Sequence, residues 1–276
     1  MFQRKKFANG FEYIELSNAS MCAKIALQGA HIFEYKSHSG EDVLWLSPTS
    51  DFAYGKAIRG GIPICWPRFG NSDKSMPAHG FSRTALFAFE GVEVLNEHTL
   101  QAKFFLEDSQ ESRKIWDYSF RVEVIFTLGE HLEVEILTNN CDTKEFLLTQ
   151  ALHTYLSVSE IQNIRIEGLE SKEYLDTLTN TKHTEATPIT INAECDRVYQ
   201  GVDKPITLRD KSRSVTLYTE GSASAIVWNP WVEKGSRMSG MRADAYREFV
   251  CIESANAFED FRVLQPNASH SLKVKI

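Results

Sequence analysis

The chain has 276 residues, of which 42% are hydrophobic and 24% charged, close to the averages of globular proteins. No stretch approaches the roughly 18 consecutive apolar residues of a membrane span, and 30 Lys and Arg against 37 Asp and Glu give a net charge of −7. The negative electrostatic potential of such a protein disfavours nucleic acid as a partner. We therefore expect a globular protein that binds neither membranes nor nucleic acids, in which any anionic ligand meets a local cationic cluster.

The cysteines and the N-terminus bear on the cellular compartment. The five cysteines are odd in number, widely spaced and free of any Cys-x-x-Cys pair, which favours reduced thiols. The N-terminal stretch MFQRKKFANGFEYIEL passes from basic residues directly into alternating polar and apolar positions, without the apolar centre of a signal peptide. We therefore expect a cytoplasmic protein.

Alternation of apolar and polar residues, typical of half-buried strands, dominates the chain. The candidate strands are, in chain order, Phe11–Leu16, Leu100–Leu106, a hairpin over Phe120–Leu137 that turns at Gly129 and Glu130, Phe146–Tyr155, Ile161–Ile166, Ser214–Tyr218, Ala225–Trp228, Phe249–Glu253 and His270–Ile276. Helical spacing is confined to Pro230–Met238 and Ala243–Phe249, each too short to connect parallel strands. The pattern predicts one all-β antiparallel sandwich, formed by residues 1–276 as a single domain.

Residues 56–81, KAIRGGIPICWPRFGNSDKSMPAHGF, interrupt the strand pattern. A Gly-Gly pair lets the backbone turn tightly and three prolines stiffen the segment, so we expect Arg59, His79 and the nearby Arg83 to be held in fixed positions. The planar guanidinium group matches phosphate oxygens in a bidentate manner, so this segment predicts an anion site. The alternative is that the arginines pair with surface acids, and for Arg68 alone this alternative is favoured.

Two titratable residues stand in otherwise apolar stretches. His153 lies in the predicted strand over LHTYL, where a lone histidine is more often a hydrogen-bonded core residue, although imidazole is also the commonest proton donor in enzymes. Glu253 ends the strand FVCIE and is either a base with a raised pKa or the first solvated residue of a turn. Three nearby aromatic residues form either a sugar-stacking wall or part of the core: Trp228, Trp231 and Tyr246. No histidine spacing typical of a zinc site is present.

Six segments, in order and spanning nearly the whole chain, resemble the motifs of the aldose 1-epimerase superfamily, specifically its glucose-6-phosphate 1-epimerase branch. They are RGGIPICWPRFG at 59–70, PAHGFSR at 77–83, LHTY at 152–155, DRVY at 196–199, WNPW at 228–231 and CIESAN at 251–256. Each motif alone is weak, but six in sequence order are specific. The resemblance implies a galactose mutarotase-like β-supersandwich with a carbohydrate cleft, and neither a metal nor another cofactor.

The resemblance also implies roles for individual residues. His153 matches the general acid and Glu253 the general base of a reaction that interconverts sugar anomers. Arg59 and Arg83 match positions that bind the sugar phosphate, and Asp196 matches a residue that binds sugar hydroxyls. A proton is removed from the C1 hydroxyl while the ring oxygen is protonated, so the chemistry needs two opposed proton-transfer groups and no cofactor.

Two neighbouring positions bear on substrate choice. His79 belongs to the second motif and is a further expected substrate contact. Ala78 stands where some relatives carry glutamine, which leaves the preferred hexose phosphate open. We expect a monomeric isomerase whose partner is a small-molecule sugar phosphate.

Three other functions stay open. An epimerase of unphosphorylated aldoses differs only in whether the two arginines meet a phosphate. A non-catalytic carbohydrate-binding protein has no need of both an acid and a base. A glycoside hydrolase needs two carboxylates, for which Asp196 and Glu253 are the candidates, but it leaves His153 without a role.

Overall fold

A computed structural model describes residues 1–37, 42–71, 75–211 and 213–276. In these ranges the strands are β1 Phe2–Lys6, β2 Glu12–Ser17, β3 Met21–Ala26, β4 His31–Ser37, β5 Ile64–Cys65, β6 Ala88–Asn96, β7 Thr99–Glu107, β8 Phe120–Leu128, β9 Leu132–Asn140, β10 Phe146–Leu148, β11 Gln150–Leu152, β12 Tyr155–Ser157, β13 Arg165–Glu167, β14 Glu173–Asp176, β15 Thr181–Thr184, β16 Cys195–Gln200, β17 Ile206–Arg209, β18 Ser214–Glu220, β19 Ser224–Asn229, β20 Phe249–Asn256, β21 Arg262–Leu264 and β22 Ser269–Lys275.

Helical structure is short. The α-helices of the described ranges are α1 Gln110–Ile115 and α2 Trp231–Arg237, and the 3₁₀ turns are Ser82–Thr84, Ile161–Asn163, Ala245–Arg247 and Phe258–Asp260. Both predicted helical segments therefore contain helical turns, although each turn is shorter than its segment. Among the described residues, no helix has the length and apolar character needed to cross a bilayer.

The strands form two large antiparallel sheets. Sheet 1 has the order β13-β17-β18-β22-β9-β8-β7-β6, and sheet 2 has the order β15-β14-β16-β19-β20-β11-β5, with β12 also paired to β20. Strands β1 to β4 form sheet 3, and β10 pairs with β21. The main hydrophobic core takes side chains from all three sheets, for example Val124, Ile252 and Ile25. The predicted antiparallel all-β architecture is confirmed.

The hairpin β8–β9 follows its sequence pattern closely. Buried and half-buried residues alternate along all nine positions of each strand, because one face packs on the core and the other is partly open to water. Leu128 pairs with Leu132, so the turn has three residues instead of the predicted two. The Tyr35 hydroxyl donates a hydrogen bond to the Gly129 carbonyl at 2.8 Å, which attaches this turn to sheet 3.

The predicted strand Phe146–Tyr155 is instead three short strands, β10, β11 and β12. The Thr149 and His153 N–H groups donate to the Pro67 and Pro63 carbonyls, in register with the pairing of β11 and β5. The Thr154 N–H donates to the Leu152 carbonyl, and this local turn separates β11 from β12. The prediction that His153 lies on a strand is therefore wrong, because His153 lies in this turn. The predicted strand over residues 161–166 likewise begins with a 3₁₀ turn, and only its end belongs to β13.

Strand β20 is buried at all eight positions. Val250 and Ile252 face the main core, whereas Phe249 and Cys251 belong to a second apolar cluster on the opposite face. Glu253 lies inside this strand and not at its end, so the prediction of its position is wrong. Neighbouring strands continue on both sides of β20, which is why the strand extends beyond the carboxylate.

Candidate active site

A cleft of about 810 Å³ opens against sheet 2. Its lining includes every residue that the sequence nominated for the site, namely Arg59, His79, Arg83, His153, Asp196 and Glu253. Further lining side chains are aromatic or apolar, among them Phe69, Tyr155, Trp228, Met238, Phe258 and Phe261. The fold thus brings together polar residues from distant parts of the chain on one partly apolar surface, as small-molecule sites commonly do.

His153 and Glu253 are in direct contact at the base of the cleft. The His153 Nε2 atom lies 3.4 Å from Glu253 Oε1, and the two side chains are 12% and 2% exposed. His153 occupies the bend between β11 and β12, and both of these strands pair with β20, which carries Glu253. The geometry therefore sets an imidazole and a carboxyl group side by side, within reach of the same ligand atoms.

Burial shifts the proton affinities of this pair in opposite directions. It raises the pKa of Glu253 well above its ordinary value, assisted by the negative charge of Asp196. It lowers the pKa of His153 well below its ordinary value, with further contributions from His79 and Arg83. A single proton shared by the pair therefore rests on the carboxyl group in the empty cleft.

Each member of the pair also has an atom with no described partner. His153 Nδ1 and Glu253 Oε2 are buried and make no hydrogen bond to the described residues. Buried polar atoms normally have partners, so an orphan of this kind indicates a place where a ligand or water binds.

Aromatic rings fix the plane of the His153 imidazole. The Tyr155 ring stacks on it with centroids 4.9 Å apart and an interplanar angle of 10°, and the Trp228 ring meets it edge-on at 5.7 Å. Trp45 stacks in turn on Tyr155. Tyr155 had no assigned role in the sequence, although it lies in the LHTY motif. Trp228 lines the cleft, whereas Trp231 packs against another aromatic residue outside the described lining.

The Gly-Gly pair places Arg59 by close backbone packing. Gly60 and Gly61 have φ angles of 109° and 64°, in the left-handed region that favours glycine. A Cβ atom at Gly61 would lie 2.2 Å from the Ile32 carbonyl oxygen. The turn is therefore pressed against sheet 3, and the Arg59 Nε atom donates a hydrogen bond to the Ser239 carbonyl at 3.2 Å.

Arg83 and His79 lie beside one another in the second motif. The Arg83 Nη2 atom donates to the Ala78 carbonyl at 2.5 Å. The Gly70 N–H donates to His79 Nδ1 at 3.4 Å, so in the neutral ring the proton lies on Nε2. Burial, with the positive charges of Arg83 and Arg59, lowers the pKa of His79 to about 4. His79 is accordingly a neutral hydrogen-bond donor.

Arg59 and Arg83 do not act as surface ion-pair partners. Arg59 and Arg83 form hydrogen bonds to backbone carbonyls and no ion pair with a carboxylate in the described part of the chain. The alternative that they pair with surface acids is therefore wrong for these two. Arg68, for which a surface role was favoured, also lines the cleft.

Asp196 lies across strand β19 from Glu253. It pairs with Trp228 of β19, and Glu253 pairs with Ile226 of the same strand. Burial raises the pKa of Asp196, and the positive charge of Lys234 opposes that shift. Lys234 lines the cleft from α2, and no motif in the sequence had indicated it.

Metal ligation has no candidate set here. In residues 1–37, 42–71, 75–211 and 213–276, no three His, Cys, Asp or Glu side chains come together as a metal site requires. The expectation of a reaction without metal stays a prediction.

Comparison with known proteins places the chain in a family. The family model described as aldose 1-epimerase matches residues 12–276. The chain belongs to the aldose 1-epimerase family. His153, Glu253, Arg59 and Arg83 all fall within the matched range, so the cleft described above is a feature of an aldose 1-epimerase family member.

Relatives of this family cover most of the chain. A Cenchrus ciliaris protein is 34% identical over 263 residues (91% of this chain, 80% of the relative), and an Escherichia coli protein is 31% identical over 264 residues (94% and 88%). Both are named "Putative glucose-6-phosphate 1-epimerase". A crystal structure from Salmonella typhimurium, titled "putative mutarotase (YeaD)", matches with a TM-score of 0.92 and 28% identity, over 99% of this chain and 92% of that one. The predicted galactose mutarotase-like fold is confirmed.

Proposed function

We propose that this protein interconverts the α and β anomers of a hexose 6-phosphate, with glucose 6-phosphate as the expected substrate. The contact between His153 and Glu253 carries the proposal, because it puts an acid and a base at one point of a cleft lined by Arg59 and Arg83. The names of the relatives from Cenchrus ciliaris and Escherichia coli support the same substrate.

The reaction uses one proton held by the pair. Glu253, ionised, takes the proton of the C1 hydroxyl while protonated His153 gives its proton to the ring oxygen, and the bond between C1 and that oxygen breaks. Rotation about the C1–C2 bond of the open-chain aldehyde exposes its other face. Ring closure then returns both protons, with Glu253 as acid and His153 as base.

The opposite pKa shifts bear on how the reaction starts. After the first transfer, Glu253 is protonated and His153 is neutral, which is also the proton distribution that burial favours in the empty cleft. Before the ring of the bound sugar opens, the shared proton therefore has to move from Glu253 to His153. The same distribution is regained when the open-chain aldehyde forms.

Arg59 and Arg83 supply the phosphate site of the proposal. The protein carries a net charge of −7, so its general field repels a dianion. Two guanidinium groups without a carboxylate partner in the described ranges offset that repulsion locally. His79, neutral with its proton on Nε2, adds a donor that requires no further charge. Asp196 accepts hydrogen bonds from the sugar hydroxyls.

The decisive experiment follows anomer exchange by NMR exchange spectroscopy with purified protein. Glucose 6-phosphate and free glucose are compared, each with and without a chelator. We expect accelerated exchange of glucose 6-phosphate that the chelator leaves unchanged. Loss of activity on chelation, restored by one metal, would contradict the cofactor-free reaction.

The other outcomes identify the alternatives. Faster exchange with free glucose than with its phosphate indicates an epimerase of unphosphorylated aldoses. Saturable sugar binding without exchange indicates a carbohydrate-binding protein. Release of a sugar from an aryl glycoside indicates a hydrolase in which Asp196 and Glu253 are the two carboxylates. That the protein is a cytoplasmic monomer stays a prediction.

A further inference from the structure

We infer that Lys234 is a positioning residue for substrate binding, which acts through Asp196 by holding that carboxylate in place and ionised as an acceptor for sugar hydroxyls. This inference rests on the proposed function, because it deepens the description of the same cleft. Neither the family motifs nor the sequence pattern indicated Lys234.

Helix α2 brings Lys234 to the cleft. The Asn229 side chain accepts a hydrogen bond from the Trp231 N–H at 2.9 Å and donates to the backbone carbonyls of Tyr246 and Phe249. These bonds fix the beginning of α2 beside β20. The helix therefore has a defined position over sheet 2, and Lys234 projects from it into the cleft lining.

Lys234 contacts three groups around the cleft. Its Nζ atom lies 2.9 Å from Glu194 Oε1 and 3.7 Å from Asp196 Oδ2. It also lies 5.8 Å from the Trp228 ring centroid, within the range of a cation–π interaction. A long, flexible side chain that is held by three partners loses freedom, so its ammonium group is fixed at the edge of the cleft.

Lys234 is the cation that favours the ionised form of Asp196. Glu194, two positions earlier in the chain, opposes ionisation through its negative charge, and a hydrogen bond from Thr177 supports it. In the described ranges, Lys234 is the only ion-pair partner of Asp196. Burial favours the protonated carboxyl, and the positive charge opposes protonation.

The ionisation state decides what Asp196 can offer a sugar. An ionised carboxylate only accepts hydrogen bonds, and it accepts several, whereas a protonated one turns one oxygen into a donor. Sugar hydroxyls in the closed and opening ring present the same protons to this residue. Loss of Lys234 should therefore weaken binding of the ground state and the transition state alike, and raise KM more than it lowers kcat.

The test compares Lys234→Met with Lys234→Arg and with Lys182→Met. Lys182 is a matched control, because it also pairs with two carboxylates, those of Glu173 and Glu259, but lies outside the described lining of the cleft. We expect Lys234→Met to raise KM for glucose 6-phosphate about tenfold, the size of a lost bond to a charged group. The increase should grow as pH falls from 7 to 5. Arginine should restore most of the affinity, and the control should match wild type.

A double-mutant cycle with Asp196→Asn identifies the route of the effect. If Lys234 acts through Asp196, Lys234→Met changes KM little in the Asp196→Asn background. An equal increase in both backgrounds would overturn the inference and would mean that Lys234 contacts the substrate itself. An unchanged KM in the single variant would also overturn it.

A second measurement does not depend on activity. Carbon-13 NMR titration of the aspartate carboxyl groups, with Asp196 assigned from the Asp196→Asn spectrum, should give a higher pKa for Asp196 in Lys234→Met than in wild type. An unchanged Asp196 titration would reject the inference. If the wild-type protein exchanges no sugar anomers, the proposed function fails, and this titration still decides whether Lys234 controls Asp196.

Discussion

The hairpin β8–β9 of sheet 1 and the strands β19 and β20 of sheet 2 differ in which of their faces are buried. In the hairpin every second residue is buried, and the polar residues between them reach water. Strands β19 and β20 are buried at every position, because the main core covers one face and the second apolar cluster covers the other. The Glu253 carboxyl group on β20 lines the cleft but is only 2% exposed. Packing alone does not favour a carboxyl group at such a position.

The largest expected effect concerns the catalytic pair. Glu253→Gln keeps the shape of the side chain but cannot take a proton, and His153→Ala removes the acid, so each should lower kcat by about 10²–10⁴-fold. The rate is measured by NMR exchange spectroscopy of glucose 6-phosphate. The urea midpoint of Glu253→Gln should not fall, because glutamine keeps the volume of this buried side chain and carries no charge.

A surface variant serves as the control for this prediction. Glu97, whose side chain is 84% exposed, can be changed to Gln with no expected effect on the exchange rate. Near wild-type turnover in Glu253→Gln would show that the base is assigned wrongly, and Asp196 would become the next candidate.

The converse variant lies in the hairpin. Phe126 is fully buried and meets Phe104 edge to face, so Phe126→Ala should lower the free energy of unfolding by about 3–5 kcal/mol. The folded fraction should keep the wild-type kcat, because no hairpin residue lines the cleft in the described ranges. Urea denaturation and activity at low temperature test the two statements. Thr127→Ala, on the other face of the same strand, should cost about 1 kcal/mol or less, and an equal cost would contradict the one-sided burial of this strand.

Arg59 and Arg83 lie outside the strands, in the segments that connect them, and are expected to bind the phosphate of the substrate. Arg59→Ala or Arg83→Ala should lower kcat/KM for glucose 6-phosphate by about ten- to 150-fold, because a charge-assisted hydrogen bond contributes roughly 1.5–3 kcal/mol. Activity toward free glucose, if present, should change little. Equal losses with both sugars would mean that the arginines hold the loop or the sugar ring instead of the phosphate.

The last prediction concerns the pH dependence of stability and a buried polar residue in sheet 3. His31 is fully buried with Nε2 2.7 Å from the Gly60 carbonyl oxygen, and burial lowers its pKa to about 4. The unfolded chain, with a pKa near 6.5, binds the proton more tightly, so stability is complete above pH 6.5 and falls as pH decreases toward 4. The loss from His31 should reach about 2 kcal/mol at pH 5.

This pH dependence is tested by measuring the urea midpoints of the wild-type protein and of His31→Gln at pH 7 and pH 5. The variant should lose less stability between the two pH values than wild type does. His79 titrates with the same sign and stays in both proteins, so the difference between them isolates His31. Identical pH dependence would show that His31 titrates normally in the folded state.

The sequence predicted the strands of sheet 1 better than those of sheet 2, because the hairpin of sheet 1 is buried on one face and the central strands of sheet 2 are buried on both. Alternation marks strands with one wet face, so β8, β9 and most of β7 were found with nearly correct bounds. Strand β20 was recognised from its apolar run, but that run does not show where a strand ends when both faces are buried. The error at Glu253 follows from this limit.

The six site residues came from motifs, and all of them line one cleft. The break at His153 was not predictable from the apolar run, because it coincides with a local turn in which the Thr154 N–H donates to the Leu152 carbonyl. Lys234 was missed for a similar reason. Its partners Asp196 and Trp228 lie on two strands, β16 and β19, and a lysine on a short helix usually faces only solvent.

The order of strands in sheet 2 also determines at what stage of its synthesis the protein can complete the cleft that contains His153 and Glu253. Ala151 of β11 pairs with Cys65 on one side and with Ala255 on the other, contacts that close loops of 86 and 104 residues. Such distant pairings form slowly in folding. A nascent chain that stops before residue 249 lacks both Glu253 and the strand that joins β11 to β19. We therefore expect a nascent chain to gain anomerase activity only when translation is almost complete. In refolding experiments, the return of that activity should indicate that β20 has paired with β11 and β19.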